Sequence, residues 1–268
     1  MVFELDFRSA NVSGAVVPGQ LRRGRIDQLQ RAREIVFLVH GFNLDRAEGR
    51  IAMDNLARKL PRMRDAALVS VLWAGDHWSG AISYSFEGRD ADDTGFYLAR
   101  FISDHLHRNT KISFATHSLG ARVALEAINR VGRLGYFADQ VCMMAAAVDD
   151  YSLAVPNGYK AAMQRCNRVT VLASRKDSVL KYAYPAGDLL QSFVFWRDED
   201  FGSALGYHGP RARRQYAVPR NVAHTQIRDA RNAGHGDYIP DSPPTQNQES
   251  ATSFCDQVLS GERLPLYR

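Results

Sequence analysis

The sequence contains little cysteine and no long apolar run, and both absences narrow the kinds of protein it can encode. Its 268 residues include only three cysteines, none in a CxxC pair, so neither a disulfide framework nor a zinc finger is predicted. No apolar run approaches the roughly 20 residues that span a bilayer. The N-terminal residues alternate acidic and apolar side chains, whereas a signal peptide begins with a basic stretch followed by an apolar one. We therefore predict a cytoplasmic protein with no transmembrane segment.

The chain also lacks the motifs that would give its positive charge a specific partner. The formal net charge is +5, with arginines grouped at 22–25 and at 211–214. Such a bias can favour anionic substrates, membrane surfaces or nucleic acid, but no nucleic-acid recognition motif accompanies it, so we expect no nucleic-acid partner. The histidines are scattered and form no H-E-x-x-H or comparable ligand pattern, so we expect neither a catalytic metal nor a cofactor.

Strand-like and helix-like segments alternate along the chain, and this order predicts an α/β protein with a mostly parallel central sheet and helices on both faces. We expect an edge strand at 2–7, at the start of an antiparallel hairpin with 15–17, and further strands at 35–39, 67–73, 111–116, 141–148, 168–173 and 221–227. Helices are predicted at 51–60, 92–107, 118–131 and 250–259. We interpret residues 1–268 as a single domain with a loop-rich excursion at about 178–219, whose role as a lid stays open.

One short motif carries chemical meaning, since Thr116-His117-Ser118-Leu119-Gly120 joins a predicted buried strand directly to a predicted helix. A turn this short forces its serine into a strained backbone conformation and lifts the hydroxyl above the sheet, as a nucleophile elbow requires. The helix that follows points its N-terminus at the same place, where its free N–H groups favour an anion. Gly120 provides the small residue that the motif needs, whereas Thr116 stands in place of the usual first glycine.

This motif, together with a second one after the first buried strand, resembles the α/β-hydrolase superfamily. The second motif is His40-Gly41-Phe42. The combination is most similar to a subgroup of bacterial serine hydrolases whose substrates are poorly defined. The resemblance covers nearly the whole chain and implies an α/β-hydrolase fold, with catalytic residues in the order nucleophile, acid and histidine. It also implies that the backbone N–H groups of Phe42 and Leu119 form the oxyanion hole.

The chain supplies residues in that order. Ser118 is the candidate nucleophile, and a serine hydroxyl needs a base to take its proton. His235 is the candidate base because it lies between two glycines in a turn that lets an imidazole project. Asp177, just after a predicted buried strand, is the preferred acid, which would orient the histidine and stabilise its charged form. The alternatives are His224 for the base and Asp149 or Asp150 for the acid.

Two aromatic residues near these motifs are candidates for the substrate pocket. Trp73 ends the second buried strand and could cap an acyl chain, although packing in the core explains an aromatic residue there equally well. His117 lies inside the elbow, where a packing role is favoured over a role as the base. Both residues are therefore tentative members of the pocket.

We predict a serine hydrolase that cleaves carboxylic esters or related acyl bonds of small molecules through Ser118, His235 and Asp177, with an acyl-enzyme intermediate. A lipase or phospholipase that works at an anionic interface is one alternative, suggested by the basic charge. A catalytically silent α/β-hydrolase module that binds a partner is another, which Thr116 keeps open. Neither the acyl chain length, the leaving group nor the oligomeric state follows from the sequence.

Overall fold

The chain folds around a central β-sheet in a computed structural model that describes residues 2–10, 15–75, 83–183 and 203–268. In these ranges the sheet has eight strands: β1 (Val2–Arg8), β2 (Val16–Arg23), β3 (Glu34–Val39), β4 (Ala67–Leu72), β5 (Lys111–His117), β6 (Ala138–Met144), β7 (Cys166–Ala173) and β8 (Val222–Gln226). Their spatial order is β2-β1-β4-β3-β5-β6-β7-β8, and β2 alone among them is antiparallel to its neighbour. The predicted mostly parallel sheet is confirmed.

Helices connect and cover the strands. Two of them begin with a capping box. The side chain of Asp45 or Thr245 accepts from the backbone N–H three residues later, and the side chain of that later residue accepts from the backbone N–H of Asp45 or Thr245. Every residue of β4 and all but the first of β3 are buried, so both faces of the sheet are covered. The described helices are α1 (Ile26–Arg31), α2 (Arg46–Arg58), α3 (Ser83–His105), α4 (Gly120–Arg133), α5 (Lys160–Met163), α6 (Leu205–His208) and α7 (Gln246–Leu259).

The predicted antiparallel hairpin at the N-terminus is confirmed, since β1 pairs with β2, but two other predictions about strands are wrong. β1 is not itself the edge strand, because it pairs with β2 on one side and β4 on the other, and its polar residues Glu4 and Asp6 are buried against arginines. The predicted strand 141–148 ends at Met144. Ala145 has a φ of 48°, so the chain leaves the extended conformation there and turns towards β5.

The predicted excursion at 178–219 is described only in part. A single π-helical turn covers Val179–Ala183, and α6 follows at Leu205–His208. Residues 184–202 lie outside the described ranges. Among the residues that the structure covers, no helix combines the length and the apolar character needed to cross a membrane.

The parallel arrangement places the sequence motifs at one edge of the sheet. β3, β5, β7 and β8 run in the same direction, so the segments that follow them meet at their carboxyl ends. These segments begin at His40, Ser118, Ser174 and Ile227. In open α/β sheets, this edge is where ligands bind.

Candidate active site

The turn between β5 and α4 is two residues long and holds Ser118 in a strained conformation. Ser118 has a φ of 53°, in the left-handed region that costs energy for a residue other than glycine. Its N–H donates to the Met144 carbonyl at 3.0 Å, and its own carbonyl accepts from the Ala147 N–H at 3.1 Å. Both partners lie at or just beyond the end of β6. The neighbouring strand therefore holds the serine in place through the main chain.

Gly120 and Thr116 flank this turn on its two sides. A Cβ at Gly120 would lie 2.4 Å from the carbonyl oxygen of His40 and 2.7 Å from that of Val39, so no larger residue fits between α4 and β3. Thr116 is fully buried, and its hydroxyl lies 3.5 Å from the Cys142 carbonyl in β6. The threonine hydroxyl thus reaches the main chain of the neighbouring strand β6.

The structure brings Ser118, His235 and Asp177 together, although they are far apart in sequence. The Nδ1 atom of His235 donates to Oδ2 of Asp177 at 2.7 Å, and its Nε2 atom is 2.9 Å from Oγ of Ser118. Because Asp177 accepts a hydrogen bond from Nδ1–H, the single proton of the neutral imidazole stays on Nδ1 and Nε2 is left as an acceptor for the serine hydroxyl. Asp177 is fully buried, and its other oxygen accepts from the Leu180 N–H at 3.0 Å. The imidazole keeps 19% of its surface exposed.

The rival residues occupy other environments. Asp150 is buried and pairs with Arg211, whose guanidinium Nη1 lies 3.3 Å from its carboxylate. Asp149 forms an isolated bridge to Ala204. His224 is exposed on β8. Of the alternatives drawn from the sequence, Asp177 and His235 are the pair whose side chains the structure connects to Ser118.

The segment after β3 passes very close to Ser118. A Cβ at Gly41 would lie 3.0 Å from Cβ of Ser118 and 2.9 Å from Nδ1 of His117. The next residues, Phe42 and Asn43, turn away, with Asn43 at a φ of 61° and its N–H bonded to the Gly75 carbonyl. Asparagine tolerates this left-handed conformation better than most residues.

Phe42 and Leu119 directly follow the two residues that approach each other here, Gly41 and Ser118. Within the described ranges the backbone N–H group of neither Phe42 nor Leu119 donates a hydrogen bond to another residue. Leu119 caps the N-terminus of α4, where the helix dipole adds partial positive charge. Both N–H groups are therefore available as donors to a bound group.

Trp73 lies behind this site and is fully buried. Its indole N–H donates to the His40 carbonyl at 2.9 Å, and its backbone N–H donates to Nε2 of His40 at 3.2 Å. The two rings stack with their centroids 5.7 Å apart. These contacts agree with the packing role that the sequence allowed for Trp73 beside its tentative place in the pocket. The indole supports the segment that carries Gly41 and Phe42, because it is hydrogen-bonded to and stacked on His40, the first residue of that segment.

A cavity of about 330 Å³ lies against the segment that contains His40, Gly41 and Phe42. Apolar side chains form much of its wall, together with the His117 ring and two carboxylates. Its lining residues are His40, Gly41, Phe42, Leu44, Glu48, Ile51, Ala52, Asn55, His117, Gly236, Ile239, Pro240 and Asp241. His117, predicted as a pocket residue, therefore borders a cavity next to the site, whereas Ser118 itself is not part of the wall.

His235 is carried by an irregular segment, residues 227–245, which we term the His235 loop. Five side chains from other parts of the fold donate to its backbone carbonyl oxygens, and all five lie outside the loop. The bonds run from Asn247 to Arg231 (3.1 Å), from Ser174 to Ala233 (2.7 Å), from His117 to His235 (2.9 Å), from Gln248 to Gly236 (3.2 Å) and from Asn55 to Pro240 (2.9 Å). Side chains from four separate elements thus hold the loop.

Sequence reasoning missed these donors. Asn55 and Gln248 lie on helices and Ser174 follows β7, and their partners are separated from them by 12 to 185 residues along the chain. No local pattern indicates such a contact. The one available signal is a polar residue at a buried helical position, which Asn55 and Gln248 both show.

With this geometry in place, comparison with known proteins identifies the family. Residues 23–187 match the family described as alpha/beta hydrolases of unknown function, DUF900. The match spans more than half of the chain, so the protein belongs to this family of alpha/beta hydrolases. The matched segment contains Ser118 and Asp177 and ends before His235. No curated protein matches the chain.

Three similar solved structures are distant from this chain in sequence. An esterase of Pyrobaculum calidifontis is 14% identical, with a TM-score of 0.44 over 90% of this chain and 78% of that one. A poly(3-hydroxybutyrate) depolymerase of Bordetella parapertussis is 15% identical (TM-score 0.44, 88% and 81%). Esterase 2 of Thermogutta terrifontis is 10% identical (TM-score 0.44, 97% and 90%). At these values nothing about substrate or mechanism follows from the likeness.

Proposed function

We propose that the protein is a serine hydrolase that cleaves carboxylic esters or closely related acyl bonds of small molecules. The observation that carries the proposal is the hydrogen-bonded row from Asp177 through His235 to Ser118, with distances of 2.7 and 2.9 Å. The serine stands on a strand-to-helix turn with a positive φ, which is the setting of an activated nucleophile. Membership of an alpha/beta hydrolase family agrees with this chemistry.

In the first half of the reaction, Ser118 Oγ attacks the carbonyl carbon of the substrate. His235 Nε2 takes the hydroxyl proton as the oxygen–carbon bond forms, and Asp177 stabilises the resulting imidazolium through Nδ1–H. The tetrahedral oxyanion would accept hydrogen bonds from the N–H groups of Phe42 and Leu119. His235 then gives its proton to the leaving oxygen or nitrogen as the carbonyl re-forms, which leaves an acyl group on Ser118.

Water completes the cycle. His235 removes a proton from a water molecule that attacks the acyl carbon, and the same two N–H groups hold the second oxyanion. The bond to Ser118 then breaks, the serine recovers its proton from His235, and the free acid leaves. No step calls for a residue beyond those that the geometry brings together.

The proposal is tested by covalent labelling. A fluorophosphonate probe reacts with an activated serine, which displaces fluoride and forms an oxygen–phosphorus bond. We expect the intact mass of the wild-type protein to rise by one probe adduct, and we expect no adduct on Ser118→Ala. A folded wild-type protein that stays unlabelled would instead favour the silent-module alternative.

A series of esters then addresses substrate size. Hydrolysis of p-nitrophenyl esters of graded acyl length would give the preferred chain, and emulsified long-chain esters would test the lipase alternative. Activity that rises sharply above the solubility limit of the ester would support the lipase, whereas saturation in the soluble range supports an esterase.

A further inference from the structure

His117 makes contacts that neither the nucleophile nor the base explains. Its Nε2 atom lies 2.9 Å from the backbone carbonyl oxygen of His235. A carbonyl oxygen only accepts, so the Nε2 of His117 carries the proton and donates it. The ring also packs against the rings of His235 and Tyr238, with centroid distances of 4.9 and 5.9 Å. His117, the residue next to the proposed nucleophile, therefore binds the main chain of His235, the proposed base.

The surroundings keep His117 neutral. Burial, together with the smaller effect of the neighbouring histidines His235 and His40, lowers the pKa of His117 to about 3. At neutral pH the ring therefore carries a single proton, and the hydrogen bond to the His235 carbonyl places that proton on Nε2. His117 is thus a fixed donor rather than a second base.

On its other side, His117 meets the segment after β3. Its Nδ1 atom would lie 2.9 Å from a Cβ at Gly41, so only glycine allows this approach. The imidazole is enclosed between the Gly41 segment and the His235 loop. Movement of this ring would change the spacing between the parts of the site that carry the base and the proposed oxyanion donors.

We propose that His117 is a positioning residue of this site, which acts by anchoring the main chain of His235 so that the base keeps its distance to Ser118. The inference rests on the proposed function. The other four side-chain donors bind the loop at Arg231, Ala233, Gly236 and Pro240, and His117 is the donor that binds at the base itself. Since His117 directly precedes Ser118, one hydrogen bond links the positions of nucleophile and base.

A matched pair of substitutions isolates this hydrogen bond. Gln and Met have similar length and volume, and the Gln amide can donate where the His117 Nε2–H does, whereas Met cannot. We expect His117→Met to label with the fluorophosphonate about 10²-fold more slowly than wild type, because a displacement of about 1 Å has an effect of that size. His117→Gln should stay within about threefold of the wild-type rate.

A second readout does not depend on catalysis. NMR titration of the His235 imidazole in the resting protein should give the wild-type curve for His117→Gln and a shifted one for His117→Met. As a control, Asn55→Ala removes another donor to the same loop and should shift this curve less than His117→Met does. If His117→Met is too unstable to study, His117→Asn, whose amide is too short to reach the carbonyl, takes its place.

The outcomes separate the two proposals. Equal labelling rates and equal His235 titrations for the Gln and Met variants would overturn the positioning role, as would losses that track only the melting temperature. An unlabelled wild type would overturn the hydrolase proposal. In that case the His235 titration alone would still decide whether His117 positions the imidazole.

Discussion

The two regions that carry the proposed nucleophile and base are held in different ways. The Ser118 turn is fixed by the main chain, through hydrogen bonds to Met144 and Ala147 and the close approach of α4 to β3 at Gly120. The His235 loop has little regular structure and is fixed by side chains from four other elements. The first region depends on main-chain contacts with the adjacent strands, whereas the second depends on side chains that reach it from several distant parts of the chain.

This difference decides what each region can tolerate. A main-chain turn fails when a side chain becomes too large, because the backbones have no room to move apart. A loop held by side chains fails when a donor is removed, since its carbonyl is left without a partner. Substitutions can therefore be chosen that affect one region and spare the other.

The largest expected effect comes from removing the reacting groups, and it tests whether the two regions work as one unit. We expect Ser118→Ala and His235→Ala each to lower kcat by on the order of 10⁵- to 10⁶-fold, and Asp177→Ala by about 10⁴-fold, as in other hydrolases with this arrangement. The triple variant should be no slower than the worst single variant. Ester hydrolysis measured beside circular dichroism checks this, and full activity of Asp177→Ala would move the role of the acid to Asp149 or Asp150.

A smaller loss of activity is expected when a side chain is enlarged next to the Ser118 turn, which is held by main-chain contacts. Gly41→Ala places a methyl group 3.0 Å from Ser118 Cβ and 2.9 Å from His117 Nδ1, which must displace the segment bearing the Phe42 N–H. We expect kcat to fall about 10²-fold, the usual size of the loss of one oxyanion donor. Gly234→Ala is the matched control, because its Cβ would meet only an Asp237 oxygen at 3.8 Å. Steady-state kinetics that show equal losses for both variants would contradict this reasoning.

The smallest effect concerns the stability of the side-chain-held region in acid. Because the folded-state pKa of His117 is lowered to about 3, the unfolded chain binds a proton near pH 6.5 that the folded protein does not. The stability contribution is therefore fully present above pH 6.5 and is lost as the pH falls towards 3. Between pH 7 and pH 5 we expect wild type to lose more unfolding free energy than His117→Gln, by at most about 2 kcal/mol.

Urea unfolding at the two pH values measures this difference. Since His117 keeps some contact with solvent, the observed value should lie below that limit. A wild-type protein and a His117→Gln variant with the same pH dependence would mean that the imidazole titrates freely in the folded state.

The sequence predicts the parts of the molecule that depend on local patterns better than those that depend on distant side-chain contacts. The parallel sheet was predictable because buried strands and amphipathic helices alternate, and the Ser118 turn lies within five consecutive residues. Residues that depend on distant contacts were not predictable in the same way. Trp73 was a tentative pocket residue, and its position beside His40 results from two hydrogen bonds between the segments that follow β3 and β4.

Strand ends show a second limit. The apolar run 141–148 gives no sign that Ala145 adopts a positive φ, because alanine has no local preference for that conformation. The turn exists because Ala147 donates to Ser118, a contact made only once β5 and β6 are paired. Similarly, β1 alternates like an edge strand, but its acidic residues are buried because arginines from β2 and α2 neutralise them.

Ser174 has a consequence for how the site opens. Its hydroxyl accepts from the Lys176 N–H at 3.1 Å, in the turn that leads to Asp177, and donates to the Ala233 carbonyl at 2.7 Å, two residues before His235. One hydroxyl thus joins the main chains on both sides of the acid–base pair. Backbone amides around residues 174–180 and 233–237 should then exchange with deuterated solvent through shared openings, with similar rates and the same dependence on denaturant.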